Sequence, residues 1–135
     1  MKSDKPFFDT NVLLYLLSED SRKADRAEAI MLKGGMINVQ VLNEFSSVAS
    51  RKLRMTYAEI CDALRTVRAI CQTQAVTIDT HELGLDIAER FGFSLYDSMI
   101  VSAALLSGCT ILYSEDMQNG QIIEGQLTIT NPFMD

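Results

Sequence analysis

Short apolar segments alternate with longer segments of helical periodicity, and this alternation constrains the fold of the chain more than any other feature. The apolar segments predict strands at residues 6–8, 36–39, 75–78, 110–113 and 127–130. The intervening segments predict helices at residues 12–17, 21–33, 41–53, 57–70, 80–91 and 94–106. Strands separated by helices form parallel sheets with both faces covered. The sequence therefore predicts an α/β fold with three layers (α/β/α) and a central, mostly parallel sheet of four or five short strands.

Several of the predicted helices are preceded by residues that commonly cap helices. Thr56 precedes the fourth predicted helix and is followed three positions later by Glu59, which is the capping-box pattern. Ser94 precedes the last predicted helix, and Asn11 precedes the first. We therefore expect these three polar residues to mark helix starts.

The length and composition indicate one domain spanning residues 1–135. Its longest apolar run, at residues 12–17, is far too short to cross a bilayer, and no signal-peptide core is evident. The three cysteines have no C-x-x-C spacing, which argues against a disulfide framework or a zinc site. We expect a cytoplasmic protein with no membrane partner.

The formal net charge of −6 argues against a protein that binds nucleic acid through a broad basic field. It does not exclude an enzyme that contacts RNA through bound metal and a local basic patch. Basic residues do cluster in three places, and the simplest interpretation is that each cluster is a solvated helix face. The clusters are Arg22, Lys23 and Arg26; Arg51, Lys52 and Arg54; and Arg65 and Arg68.

Two acidic residues occupy apolar helix faces. Asp97 shares a predicted face with Ile100 and Val101, and Glu44 shares one with Val48. A carboxylate on a buried face is unfavourable unless something neutralises it. Two such carboxylates in separate helices suggest that both converge on a cation.

Two further acids follow predicted strands. Asp9 comes at the end of the first strand, and Asp116 comes just after the fourth. Doubly wound sheets bind ligands beyond the carboxyl ends of strands, where the strand order reverses. If the fourth strand lies beside the first, these two acids flank that point; the periodicity of the sequence does not fix the order.

The four acids together suggest one kind of chemistry. Clustered carboxylates repel one another and take up protons unless a cation compensates their charge. A hard cation such as Mg²⁺ or Mn²⁺ is the natural partner of oxygen ligands. Such a site suits phosphodiester hydrolysis, because the metal lowers the pKa of a bound water and neutralises phosphate charge.

Each acid also has a structural interpretation. Asp9 could start a turn or help to cap a helix, and Asp116 could be a turn acid. Glu44 could point sideways into solvent, and Asp97 could cap its own helix. The joint pattern is more informative than any single member.

Other residues compete for these roles. Asp79 follows the third predicted strand, but it or Thr80 is better explained as a helix cap. Glu115 is the substitute for Asp116 if the register differs, and His81 suits a surface position. No nucleotide-cradling glycine motif and no nucleophilic triad is recognisable.

The order of these motifs resembles that of a known family. FFDTNVLLYLL, NEF, SLYDSMIVSAAL and LYSEDMQNGQ are similar to the PIN domain, specifically to the toxin ribonucleases of VapBC toxin–antitoxin pairs. The resemblance covers residues 7–133, with all four acids in the expected order. One departure is Asn119, where similar toxins often have histidine.

The resemblance implies a fold, an activity and partners. It implies a PIN-like parallel sheet with the first strand between the second and fourth. Ser114 and Asn11 would orient the carboxylates, and the expected partners are RNA, a cognate antitoxin and a second copy of the chain in a homodimer. The metal ligands and catalytic residues of an Mg²⁺- or Mn²⁺-dependent endoribonuclease would be Asp9, Glu44, Asp97 and Asp116.

Three other functions are compatible with parts of the sequence. A phosphoacceptor signalling domain would use Asp79 as the phosphorylated residue and Asp9 as a metal ligand, but it would leave Glu44 and Asp97 without a role, and no lysine follows the fifth strand. A PIN-like protein that binds without cleaving is disfavoured by the intact acids. A PIN nuclease of RNA processing differs from a toxin only in its biological setting.

Overall fold

A single sheet runs through the protein, whose computed structural model describes residues 4–134. Within those residues the sheet has six strands in the order β3-β2-β1-β4-β6-β5, and only β5 is antiparallel to its neighbour. The strands are β1 (Phe7–Phe8), β2 (Gly35–Asn38), β3 (Cys71–Gln74), β4 (Ile111–Tyr113), β5 (Ile122–Ile123) and β6 (Leu127–Thr130). β1 lies between β2 and β4, which confirms the strand order that the family resemblance implies.

Six α-helices connect the strands within the described residues. They are α1 (Thr10–Leu14), α2 (Ser21–Leu32), α3 (Val39–Arg51), α4 (Tyr57–Ile70), α5 (Ile78–Phe91) and α6 (Leu95–Leu106), and a 3₁₀ turn, Tyr15–Leu17, follows α1. Phe7 and Phe8 are both fully buried. Because successive strand residues point to opposite faces, both faces of the sheet are covered. The predicted α/β fold with a mostly parallel sheet is confirmed.

The strand count and the third strand differ from the prediction. Six strands are present where four or five were expected, because β5 contributes only two residues, Ile122–Ile123, and leaves little pattern. The prediction of a strand at residues 75–78 is wrong: Val76 and Ile78 are 46% and 71% exposed and belong to a loop and a helix start. The actual strand, Cys71–Gln74, is polar because β3 is an edge strand whose outer side faces solvent.

Helix starts were predicted well where a capping box or a lone serine marks them. Thr56 and Glu59 form both bonds of a capping box, and the Ser94 hydroxyl accepts from the Asp97 N–H. The prediction that Asn11 caps the first helix is wrong, because Asp9 caps α1. Likewise Thr77, and not Asp79 or Thr80, caps α5.

The ends of the predicted domain lie partly outside the described residues, since residues 1–3 and 135 are not described. No helix within residues 4–134 combines the length and the apolar character that spanning a bilayer requires.

Candidate active site

Asp9 and Ser114 directly follow two neighbouring strands of the sheet, β1 and β4. β1 and β4 are parallel neighbours that pair Phe8 with Tyr113, and the Asp9 N–H donates to the Tyr113 carbonyl at 3.0 Å. The Ser114 hydroxyl donates to Asp9 Oδ2 at 2.8 Å, and the Thr10 N–H donates to Asp9 Oδ1 at 2.7 Å. The carboxyl end of β1 therefore holds the Asp9 carboxylate in a fixed orientation.

Asn11 connects the residues that follow β1 with those that follow β4. Its Nδ2 lies 3.3 Å from Asp9 Oδ2, 3.1 Å from Asp116 Oδ2 and 3.4 Å from Ser114 Oγ. Its Oδ1 accepts from the Glu115 N–H at 3.1 Å. Asn11 lies in the first turn of α1, so its side chain turns back across the sheet edge and positions two carboxylates at once.

Glu44 and Asp97 come from α3 and α6, and both are half-buried. Gln40 Nε2 donates to Glu44 Oε1 at 2.7 Å and to the Tyr96 carbonyl at 3.3 Å. The glutamine side chain thus joins α3 to the start of α6, one residue before Asp97. This contact brings the two helix acids to the same region.

The pKa values show that the four acids form one electrostatic group. Burial raises the pKa of Asp9 from 3.8 to about 6, against the lowering effect of hydrogen bonds from Ser114 and Thr10. The negative charges of Asp97 and Glu44 contribute to this net rise in the pKa of Asp9. Burial also raises the pKa of Asp97, the Ser94 hydrogen bond lowers it, and the charge of Asp116 raises it.

Among the described residues, the acids do not form a closed ligand shell. Within residues 4–134, no three Asp, Glu, His or Cys side chains lie close enough together, as placed, to hold one metal ion. Mg²⁺ is usually bound through one or two carboxylates and keeps several of its waters. A spaced, all-carboxylate donor set around the buried and charge-repelled Asp9 therefore fits a hydrated hard cation.

Glu115 is engaged elsewhere and does not replace Asp116. Lys23 Nζ bonds Glu115 Oε2 at 2.6 Å, and the Tyr15 hydroxyl donates to Glu115 Oε1. Burial raises the pKa of Glu115, but the bonds from Lys23 and Tyr15 outweigh it and lower the pKa overall. This contact between α2 and the loop after β4 was not anticipated, because its partners are far apart in sequence.

The other competitors lie away from this group. Asp79 is exposed in the first turn of α5, several residues beyond the end of β3, so it does not sit at a strand end. His81 is exposed on the same helix. Asp116 is exposed at the rim of the site, and its carboxylate still accepts from Asn11.

We expect Ser114→Ala to raise the pKa of Asp9 further, by about one unit. The reason is that a hydrogen bond to a charged group contributes about 1.5–3 kcal/mol, part of which the neighbouring donors would recover. A carboxyl ¹³C NMR titration of Asp9 in metal-free buffer measures this value. Ser102→Ala is the matched control, because that buried hydroxyl donates to the Thr80 carbonyl at 2.7 Å. An equal Asp9 pKa in both variants would contradict the prediction.

Comparison with known proteins gives a family and a fold. The PIN domain family profile matches residues 7–119. A search of curated proteins gives no match. Several solved structures share the fold at low sequence identity, and three of them are described below.

The VapC20 toxin of Mycobacterium tuberculosis, described as cleaving the sarcin–ricin loop, is 17% identical, with a TM-score of 0.68 over 83% of this chain and 90% of that one. A chain of a toxin–antitoxin complex from Klebsiella pneumoniae is 19% identical, with a TM-score of 0.70 over 96% and 98% of the two chains. A chain of VapBC2 from Rickettsia felis, bound to promoter DNA, is 16% identical, with a TM-score of 0.67 over 93% and 97%. The protein therefore has the fold of these toxin and toxin–antitoxin structures, and it belongs to the PIN domain family of nucleases.

Proposed function

We propose that this chain is an Mg²⁺- or Mn²⁺-dependent endoribonuclease, the toxin of a type II toxin–antitoxin pair, acting in the cytoplasm. The observation that carries the proposal is the buried carboxylate of Asp9, whose pKa is raised to about 6 in a group with Glu44 and Asp97. A protein has little reason to keep repelling acids at the carboxyl edge of its sheet unless a cation joins them.

The side chains around the acids have positioning roles in this proposal. Ser114 and the Thr10 N–H hold Asp9, Gln40 holds Glu44, and Asn11 holds Asp116. Fixed ligand orientation matters because hydrogen-bonded partners of metal ligands tune affinity and geometry. When bound, Mg²⁺ or Mn²⁺ lowers the pKa of a water molecule and offsets the charge on the phosphate oxygens.

We expect Mn²⁺ to bind the purified parent protein, and we expect the Asp97→Asn variant not to bind it. Isothermal titration calorimetry measures this directly, and RNA cleavage with and without EDTA follows in the same preparations. Asp79→Asn is the matched control, because it removes an exposed acid on α5 outside the group. It also tests the phosphoacceptor alternative, which requires Asp79.

Two results would contradict the proposal. One is Mn²⁺ binding of equal strength in the parent and in Asp97→Asn. The other is RNA cleavage that persists in EDTA and in a folded, nuclease-free preparation of the variant.

The proposal includes an antitoxin partner. The relatives from Klebsiella pneumoniae and Rickettsia felis were solved as toxin–antitoxin assemblies, and the latter was bound to DNA. A basic side chain of an antitoxin would offset the four carboxylates, in a protein whose net charge is −6. A neighbouring reading frame for a small protein with a basic tail, and its co-purification with this chain, would distinguish a toxin from a nuclease of RNA processing.

The proposal also includes a homodimer. Exposed apolar residues lie at the starts of α3, α5 and α6: Val39, Ile78, Leu95 and Tyr96. Exposed apolar surface, where it is contiguous, is typical of protein interfaces. Light scattering of the parent and of Tyr96→Asp would test this, with a monomeric parent as the contrary result.

A further inference from the structure

A partly apolar pocket opens directly from the candidate active site. Its volume is about 370 Å³, within the range of about 300–1,000 Å³ that is usual for small-ligand sites. Asn11 and Asp116 line it, and Asn11 Nδ2 lies 3.1 Å from Asp116 Oδ2 and 3.3 Å from Asp9 Oδ2. The pocket, called here the α1–α3 pocket, has an apolar lining of Leu14, Leu17, Val48 and Leu53.

Helix periodicity places the α1–α3 pocket one turn away from the acids on two sides. Val48 follows Glu44 by four positions on α3, and Leu14 follows Asn11 by three positions on α1. Residues at these spacings are neighbours on a helix surface, with Cβ atoms about 5–6 Å apart. A molecule that extends from the acids along α1 and α3 therefore contacts Leu14 and Val48 first.

The walls of the pocket suit the flat faces of a nucleobase. Tyr15 also lines the pocket, but its ring is already packed: the Phe133 centroid and Lys23 Nζ each lie 4.6 Å from the Tyr15 centroid. The surface left to a ligand is therefore mainly aliphatic. Proteins hold a base that has left its stack between apolar side chains as well as aromatic ones.

Polar groups in the same lining suit the edge of a base. The Ser18 hydroxyl accepts from the Asp20 N–H at 3.0 Å, and a hydroxyl donates as well as accepts. The Glu115 carboxylate is paired with Lys23 at 2.6 Å, so it adds little repulsion towards RNA. Lys23 and Tyr15 occupy only part of the lone-pair sites of that carboxylate. The pocket thus offers a donor and an acceptor.

The two ends of the pocket carry opposite charges. Asp116 lies at the inner end, and the exposed Lys52 lines the pocket at the end of α3, eight positions after Glu44. An RNA strand with one phosphate at the acids carries its next phosphates past this lysine, and an ammonium group attracts them. An apolar side chain of a protein would use the walls of the pocket but not the lysine.

We propose that the α1–α3 pocket binds the base of the nucleotide next to the cleaved phosphate and determines which nucleotide is preferred at that position. This inference rests on the proposed ribonuclease function and deepens it by assigning residues to substrate specificity. Leu14, Val48 and Leu53 contact the base, whereas the acids act at the phosphate.

The test is the nucleotide preference of Val48→Phe, measured in the full chain. RNA of random sequence is cleaved in Mn²⁺, and the ends of the products are sequenced. Phenylalanine fills the pocket, so we expect the preference at one position next to the cut to be lost, a change of about tenfold or more in relative cleavage. Val76→Phe is the matched control, because Val76 is exposed in the loop before α5, outside the pocket lining.

A second variant and a binding measurement support the test. Leu53→Ala removes a half-exposed wall, so it changes the same preference without enlarging a partly buried side chain. Methyl NMR in EDTA follows Leu14, Val48 and Leu53 as uridine, cytidine, adenosine or guanosine is added, with ribose as the control without a base. We expect at least one nucleoside, and not ribose, to shift these methyl signals.

The outcomes separate this inference from the proposed function. A parental preference in Val48→Phe and in Leu53→Ala, with no methyl shift from any nucleoside, would overturn the pocket while leaving metal binding and cleavage intact. Lost preference with unchanged Mn²⁺ calorimetry would support it. A parental preference with loss of antitoxin capture would overturn it in favour of a protein side chain. A parent that cleaves no RNA would overturn the proposed function, and this inference with it.

Discussion

Asp9→Asn is expected to reduce RNA cleavage by more than about a hundredfold while the protein stays folded. Loss of a residue that only supports a metal ligand typically lowers affinity or activity by about 10–100-fold, so loss of the central carboxylate should exceed that range. Asparagine keeps the shape and can still accept from the Thr10 N–H, so α1 keeps its cap. Cleavage of a fluorescent RNA reporter by nuclease-free preparations measures the effect, and activity near the parental level would contradict it.

The same substitution should change how stability depends on pH in metal-free buffer. The pKa of Asp9 is about 6 in the folded protein and near 3.8 when unfolded, so the folded state holds its proton more tightly. Its contribution to stability is therefore greatest below about pH 4 and is lost as the pH rises to about 6. At about 1.4 kcal/mol per pKa unit, this difference corresponds to about 3 kcal/mol.

Asp9→Asn should thus gain stability relative to the parent as the pH rises. The gain at pH 7.5 will be smaller than the full value of about 3 kcal/mol. The reason is that the amide nitrogen of asparagine cannot accept hydrogen bonds from Ser114 and Asn11. Urea unfolding of both proteins in EDTA at pH 4.5 and 7.5 measures it. A difference between the two proteins that does not vary with pH would contradict this explanation.

Gly35→Ala is expected to destabilise the protein by about 3 kcal/mol or more. A Cβ atom at Gly35 would lie 2.2 Å from Phe8 Cε2 and 2.9 Å from the Pro6 carbonyl oxygen. Phe8 is fully buried and stacks on Tyr113 with centroids 5.9 Å apart, so its ring has no space to retreat. Thermal or urea unfolding measures the loss, which corresponds to a lower Tm by about 10 °C.

Gly92→Ala is the control for that substitution. Gly92 ends α5 at a φ of 74°, and a Cβ atom there would have no neighbour within 4 Å. Alanine would therefore cost only the backbone strain of the left-handed region, about 1–2 kcal/mol. Equal losses at the two glycines would show that close packing between β1 and β2 is not what requires Gly35.

The architecture could be predicted from local signals, and local signals also single out the four acids as candidate metal ligands. Asp97 and Glu44 stand out against apolar helix neighbours, and Asp9 follows an apolar strand directly. The strand order was not available from the periodicity alone; it followed from the family resemblance and is confirmed by the pairing of β1 with β2 and β4.

The remaining features depend on tertiary contacts that no local pattern reveals. The polar strand β3 is recognisable only through its pairing with β2 at the sheet edge. Asn11 has the sequence features of a helix cap, and only its contact with Asp116, 105 positions away, shows what its side chain binds. Lys23 and Glu115 are 92 positions apart, so neither sequence neighbourhood predicts their ion pair.

The contact between Asp9 and Ser114 joins residues 105 positions apart, and this separation determines when the site can form during synthesis. β1 emerges first, but it finds its neighbour β4 only after nearly the whole chain has been translated. Pairing over so long a loop is entropically expensive and therefore slow. A nascent chain on the ribosome accordingly carries Asp9 without Ser114 or Asp116, and the candidate active site is complete only once the last strands have formed.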